Sequence, residues 1–232
     1  MNNLKNTSKM LPVLLLFVLV SCKKKNPQPD AATNEIVTNE LLNYYLVAEH
    51  KTGPNKLMVA YFNQDGSTVD AQAHLQEHQV RTRAVTIKDR QFNIDFNKDG
   101  KSMYNFTLEK DASGNLILKT YDFVYNGEGN QLAHATLIKK VDAPPFDGSN
   151  FKMIRSNVPF EMIKDGIPFS FLSGAKSMIW TNRIKEYHNL INIGFKTTDD
   201  EYMAVMVPGW KDIKTPIMLL ETRDVLFIAA KQ

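Results

Sequence analysis

The run His74-Leu75-Gln76-Glu77-His78 sets two imidazoles four residues apart. On a helix they would face one side, one turn apart, where both can bind Zn²⁺. The alternative is a polar connection between strands that carries two solvated histidines. Asp95-Phe-Asn97-Lys-Asp99-Gly100 places side-chain oxygens at the first, third and fifth positions and Gly at the sixth, the opening of a calcium loop. The twelfth position of such a loop is Glu, but here it is Phe106, and Glu109 lies farther along. The same run is good hairpin chemistry, because Asp and Asn bond their own backbone and Gly takes a positive φ. Asp95, Asn97 and Asp99 therefore read as a turn or as a weak calcium site. His50, His134 and His188 are scattered and read as structural. Trp180, Trp210 and several Tyr are candidates for a sugar or peptide platform. Pro208-Gly-Trp-Lys211 puts Trp210 in a turn, where it is expected to be the more exposed of the two. No Gly-x-Ser-x-Gly elbow, P-loop or dinucleotide fingerprint occurs.

The spacing of His74, Glu77 and His78 resembles the inverted zinc-protease motif. That resemblance implies His74 and His78 as metal ligands and Glu77 as the base that activates water. It also requires a carboxylate ligand from a later helix. Glu161 is available, but nothing around it reads as that helix, and the α/β fold of the family conflicts with the strands on either side. A metal-dependent envelope hydrolase is thus the alternative function, and zinc and calcium are the two candidate cofactors if there is one.

The first 22 residues carry a different chemistry. Lys5 and Lys9 precede an apolar run, Met10–Val20, interrupted only by Pro12. A permanent span takes about 20 residues, so this run is too short to be one and suits the core of a secretory signal. Leu19-Val20-Ser21-Cys22 then resembles the lipobox of bacterial lipoproteins. The resemblance implies cleavage after Ser21, with a diacylglycerol and usually a further acyl chain such as palmitate on Cys22. Cys22 is the one Cys of the chain, so no intramolecular disulfide can form. A single acyl chain binds membranes marginally, whereas two or more anchor stably. Residues 22–38, rich in Lys, Asn, Pro and Asp, read as a flexible tether. Lys rather than Asp after Cys22 argues, by resemblance to other lipoproteins, for the outer membrane. The missing acidic run favours its periplasmic face.

The elements that must position any site are strands. Phe92, Ile94 and Phe96 alternate with Asn93 and Asp95, and Tyr104, Phe106 and Leu108 alternate with Asn105 and Thr107. Asn97–Gly100, Asp111–Asn115 and Asn126–Asn130 join four successive strands into an antiparallel meander. Leu41–Glu49 and Leu57–Asn63 flank a further hairpin, and six more short strands follow residue 168. Two segments, Val69–Gln79 and Arg183–Leu190, read as short helices. The expected fold is mainly β, an antiparallel meander forming a β-sandwich or open barrel with one or two short helices. Residues 39–232 form the folded part, and the Pro-rich stretch 142–150 is either a sub-boundary or a long loop.

Apolar residues make up 43% and charged residues 23%, a globular composition rather than a disordered one. The chain has 28 basic and 25 acidic residues; residues 1–38 hold five of the former and two of the latter, which leaves 23 of each. A neutral folded part lacks the basic face of a nucleic-acid binder. The expected function is a membrane-anchored envelope lipoprotein with a non-catalytic binding or assembly role. Its expected partners are the membrane, through the lipid, and an envelope protein or glycan.

Overall fold

The computed structural model describes residues 35–75, 81–140, 146–156, 168–180, 183–190, 192–222 and 225–232. Cys22, the signal, most of the tether, Glu77, His78 and Glu161 lie outside the described residues.

The expected mainly β, antiparallel fold is present. A 3₁₀ turn, Thr38–Asn43, leads into β1 (Tyr44–His50). Then come β2 (Leu57–Asp65), β3 (Thr68–His74), β4 (Arg81–Val85), β5 (Gln91–Ile94), β6 (Ser102–Lys110), β7 (Leu116–Tyr125) and β8 (Leu132–Lys139). They form a five-stranded sheet, β4-β3-β2-β1-β8, and a three-stranded sheet, β5-β6-β7. β8 returns to pair with β1, in the register Tyr45↔Ile138 and Val47↔Thr136. Side chains from both sheets share one core: Leu46, Ala60, Phe62, Ala71, Phe92, Phe106, Leu108 and Leu137 all belong to it. Period two explains this directly, because Ser102, Tyr104, Phe106 and Leu108 are buried and the residues between them are not.

The second half, also of eight strands, closes on itself. β9 (Asn150–Ser156), β10 (Pro168–Phe171), β11 (Ser177–Trp180), β12 (Arg183–Leu190), β13 (Gly194–Thr197), β14 (Met203–Val207), β15 (Ile217–Thr222) and β16 (Val225–Lys231) close into an eight-stranded barrel. β16 pairs with β9 to complete it. A barrel of eight strands is just wide enough for side chains to fill. Phe146, Phe151, Phe169, Phe171, Trp180, Tyr187, Phe195 and Phe227 fill this one. Their rings meet edge-on or tilted, as in Phe171 against Phe195 at 5.0 Å and 72°.

The two halves pack face to face through a third apolar cluster. Tyr45, Val47, Leu57, Val59 and Ile138 of the first half meet Leu190, Val205, Val207, Trp210, Leu219 and Ile228 of the second. Each such side chain contributes roughly 1.5–3 kcal/mol on burial, so the seam resembles the inside of a domain rather than a transient contact. Strands on the seam are buried on both faces, and they are the ones with unbroken apolar runs: Tyr45–Ala48, Met203–Val207 and Ile217–Leu220.

Both expected helices are corrected. Residues 68–74 are strand β3, hydrogen-bonded to β2 on one side and β4 on the other. Val69, Ala71 and Ala73 are buried while their neighbours are not, a period of two that outweighs the helix-forming tendency of Ala, Gln and Leu. Residues 183–190 are strand β12, paired with β11 and β13. Among the described residues the helical element is the 3₁₀ turn. The first strand begins at Tyr44 because that turn occupies Leu41–Asn43.

Strand spacing can be tested at Gly194. A Cβ built there would lie 2.2 Å from the carbonyl oxygen of Ala204 on the neighbouring strand. Neither backbone can move without breaking the barrel register, so Gly194→Ala is expected to cost about 2–3 kcal/mol or more. Chemical denaturation should register this as a large drop in midpoint.

Candidate functional site

At one end of the first half lies a cavity of about 480 Å³, built from six connecting segments and strand ends. β1 contributes His50, its last residue, and the β1–β2 hairpin contributes Thr52, Gly53, Pro54 and Asn55. Ala73 and Leu75 come from the end of β3, Phe96 and Asn97 from the loop after β5, and Ser102 and Tyr104 from the start of β6. Phe123 and Tyr125 close the wall from β7, with Gln131 just before β8.

Each wall is held from behind. The β1–β2 hairpin is pinned by the second half, because the backbone N–H of Lys56 donates to the buried carboxylate of Glu221. Arg83 on β4 donates through Nε to the carbonyl of Asp95 at 3.0 Å and through Nη2 to that of Phe96, which sets Phe96 against the cavity. Tyr104 and Phe123 stack with ring centroids 4.2 Å apart and planes at 18°.

His50 is buried and both its ring nitrogens are engaged. Nδ1 lies 2.9 Å from the carbonyl oxygen of Asn55 and Nε2 lies 2.8 Å from the hydroxyl of Tyr104. A carbonyl can only accept, so Nδ1 carries the proton and Nε2 accepts from Tyr104. Burial holds the imidazole neutral, with its pKa lowered from 6.5 to about 4.

The sequence candidates gather at this same end of the first half but not around one centre. His74 ends β3 on the face opposite Ala73 and stacks on Tyr61, centroids 5.5 Å apart. Burial first, then Lys196 and His188, lowers its pKa to about 4. His74 thus lies on a strand, and His78 lies outside the described residues. Asp95 accepts from the backbone N–H groups of Asn97 at 3.1 Å and Gly100 at 2.7 Å. Asp99 accepts from those of Lys101 and Ser102, at 2.8 and 3.1 Å. The Gly100 N–H, above all, holds the Asp95 carboxyl below the usual carboxylate range. These carboxylates thus brace the β5–β6 loop, which carries Phe96 and Asn97 into the cavity. Among the described residues, no group of three or more His, Cys, Asp or Glu is placed to hold a metal ion.

Trp210 corrects the expectation of an exposed turn residue. It is only 1% exposed, donates through Nε1 to Glu49 at 3.1 Å, and meets His134 edge-on at 4.4 Å. Trp180 lies inside the second barrel against Phe169. Neither forms a platform. Of the residues that line the cavity, the sequence singled out His50 only as structural and Asn97 only as a turn or weak calcium position, although one further signal was present: Phe96 and Tyr125 are aromatic residues placed at turns, beside Asn97 and Asn126. A second depression, about 580 Å³, lies against the outer face of β5–β7 and is lined largely by polar residues such as Asn93, Asn105, Thr120 and Asp122.

Compared with protein-family models, curated proteins and solved structures, this chain matches none.

Two outcomes follow from this geometry. Gly100 has φ +66 with open space around it, so Gly100→Ala should cost about 1 kcal/mol through backbone strain alone. If the loop is a turn, that loss and the wild-type melting temperature should be the same in EDTA and in calcium; a melting temperature raised several degrees by calcium would restore the metal reading.

His50 supplies the second. Its folded pKa lies below the unfolded value of 6.5, so its contribution is complete above about pH 6.5 and is lost as pH falls toward 4. His74 and His134, also lowered by burial first, add in the same direction. Between pH 7.5 and 4.5, His50→Phe should lose about 2–3 kcal/mol less stability than wild type, measured by urea unfolding at each pH.

Proposed function

We propose that this protein is a lipid-anchored lipoprotein of the cell envelope whose folded part is a non-catalytic binding module, with the cavity at the end of the first half as its binding site. The single observation that carries this reading is the aromatic-walled cavity opening at the end of the first half opposite the point where the described chain enters it.

Polarity along β1 supports the arrangement. The strand runs from the 3₁₀ turn at one end to His50 at the other. At the turn end, Leu41 is fully buried and Ile36 nearly so, and both belong to the first core. The backbone N–H of Ile87 donates to Thr38 Oγ1 at 2.9 Å, and Lys110 pairs with Glu40 at 3.0 Å. That end is plugged. The tether that follows Cys22 would therefore join the fold at the plugged end of β1, the end away from His50. The lipobox resemblance and the lysines after Cys22 support placement on the periplasmic face of the outer membrane.

Composition supports binding rather than nucleic-acid contact, since the folded part is neutral. The hydrolase alternative needs His74 and His78 on one helical face, and His74 sits on a strand against Tyr61. No helix among the described residues is long and apolar enough to cross a membrane.

Metabolic labelling with an alkyne fatty acid tests the anchor. Wild type should be tagged, whereas Cys22→Ala should be untagged. Equal tagging of the two proteins would remove the anchor from the proposal.

A further inference from the structure

We infer that the cavity takes an uncharged small molecule bearing a flat ring, stacked on the wall of Phe96, Tyr104 and Phe123 with its polar end at the rim. This inference rests on the binding-module reading above.

Size is the first argument. About 480 Å³ lies within the range of small-molecule sites, roughly 300–1,000 Å³, and is too little for a folded partner.

Charge is the second. Among the described residues, no Asp, Glu, Lys or Arg lines the cavity. An ionic ligand would give up its hydration there and find no counter-charge, a cost that a neutral ligand avoids. His50, the titratable base among the described lining residues, has its Nδ1 proton committed to the Asn55 carbonyl and its Nε2 lone pair to the Tyr104 hydroxyl. It therefore stands as a neutral ring and offers an anion no proton.

Shape and polarity are the third. Phe96, Tyr104 and His50 are buried at the floor, with Phe96 edge-on to Tyr104 at 5.9 Å and 73°. Phe123 stacks on Tyr104 and continues to Tyr125, whose centroid is 6.3 Å away. Tyr125 is 55% exposed, one of few large apolar side chains left in solvent. A flat ligand entering along this row would cover Tyr125 and stack on rings that are already ordered, at low entropic cost. Thr52, whose hydroxyl donates to Gln131 Oε1 at 2.9 Å, marks a polar rim where a hydroxyl or carbonyl of the ligand stays hydrated or bonded.

Two dyes with nearly the same ring system separate the possibilities. N-phenyl-1-naphthylamine is neutral, and 8-anilino-1-naphthalenesulfonate adds one sulfonate. Titrations use the full chain carrying Cys22→Ala, so that no detergent is needed. The neutral dye is expected to saturate a single site, with the sulfonate at least about tenfold weaker. Phe123→Ala and Tyr125→Ala should each weaken the neutral dye about three- to tenfold. Tyr125→Ala, at an exposed position, should melt within a few degrees of the parent, which separates lost binding from lost folding. Sulfonate binding as tight as the neutral dye would overturn the ligand class and leave the binding module standing. No saturable signal from either dye, or saturation indifferent to both substitutions, would overturn the binding site itself.

Discussion

β1 has no solvent side. All seven of its residues, Tyr44–His50, are buried, and the strand hydrogen-bonds β2 along one edge and β8 along the other. Tyr44, Leu46 and Ala48 enter the core of the first half, while Tyr45 and Val47 enter the seam with the second. The alternation that makes any strand amphipathic is here the means of joining two cores. The last two residues inherit the same division. Glu49 faces the seam and His50 faces the cavity, so one strand end serves the interface and the site at once.

That placement puts a carboxylate in an apolar seam, where an unpaired charge would cost several kcal/mol. Glu49 is satisfied by Trp210 Nε1 and by the Lys211 ammonium at 2.8 Å. His134 closes over Trp210, and burial, then Lys211, holds it below its ordinary pKa. Glu221, also buried, receives the N–H of Lys56 from the hairpin that walls the cavity. The second half therefore shapes a site that its described residues do not line. Polar contacts across the seam set the position of the hairpin, and apolar contacts supply the adhesion.

Each half has eight strands with the last pairing back to the first, but the first is two open sheets and the second a closed barrel. Side-chain size differs between the two cores. Five alanines, Ala48, Ala60, Ala71, Ala73 and Ala135, lie in the first core. The second core is crowded with Phe, Tyr and Trp. Ala73, at the end of β3, leaves space beside the aromatic wall that β6 and β7 supply.

Local chemistry was legible in the sequence. The three-stranded meander from Gln91 to Tyr125, the turns at Asn97–Gly100, Asp111–Asn115 and Asn126–Asn130, and the mainly β class follow from period-two alternation and from residues that bond their own backbone, whereas the fourth strand expected to extend that meander, Leu132–Lys139, leaves it to pair with β1. Those signals act within a few residues, so they survive without knowledge of the fold. The helices expected at Val69–Gln79 and Arg183–Leu190 mark the limit of that logic, because cross-strand pairing on both sides outweighed propensity. The sequence left sandwich and barrel open; the structure combines a closed barrel with a face-to-face seam, and that depends on which distant edges meet. His50 and Tyr104 are 54 residues apart, and Glu49 and Trp210 are 161 apart. Such pairings carry no periodic trace in the chain. They arise only when strand ends converge, and so the tertiary structure alone decided where the cavity is and which residues line it.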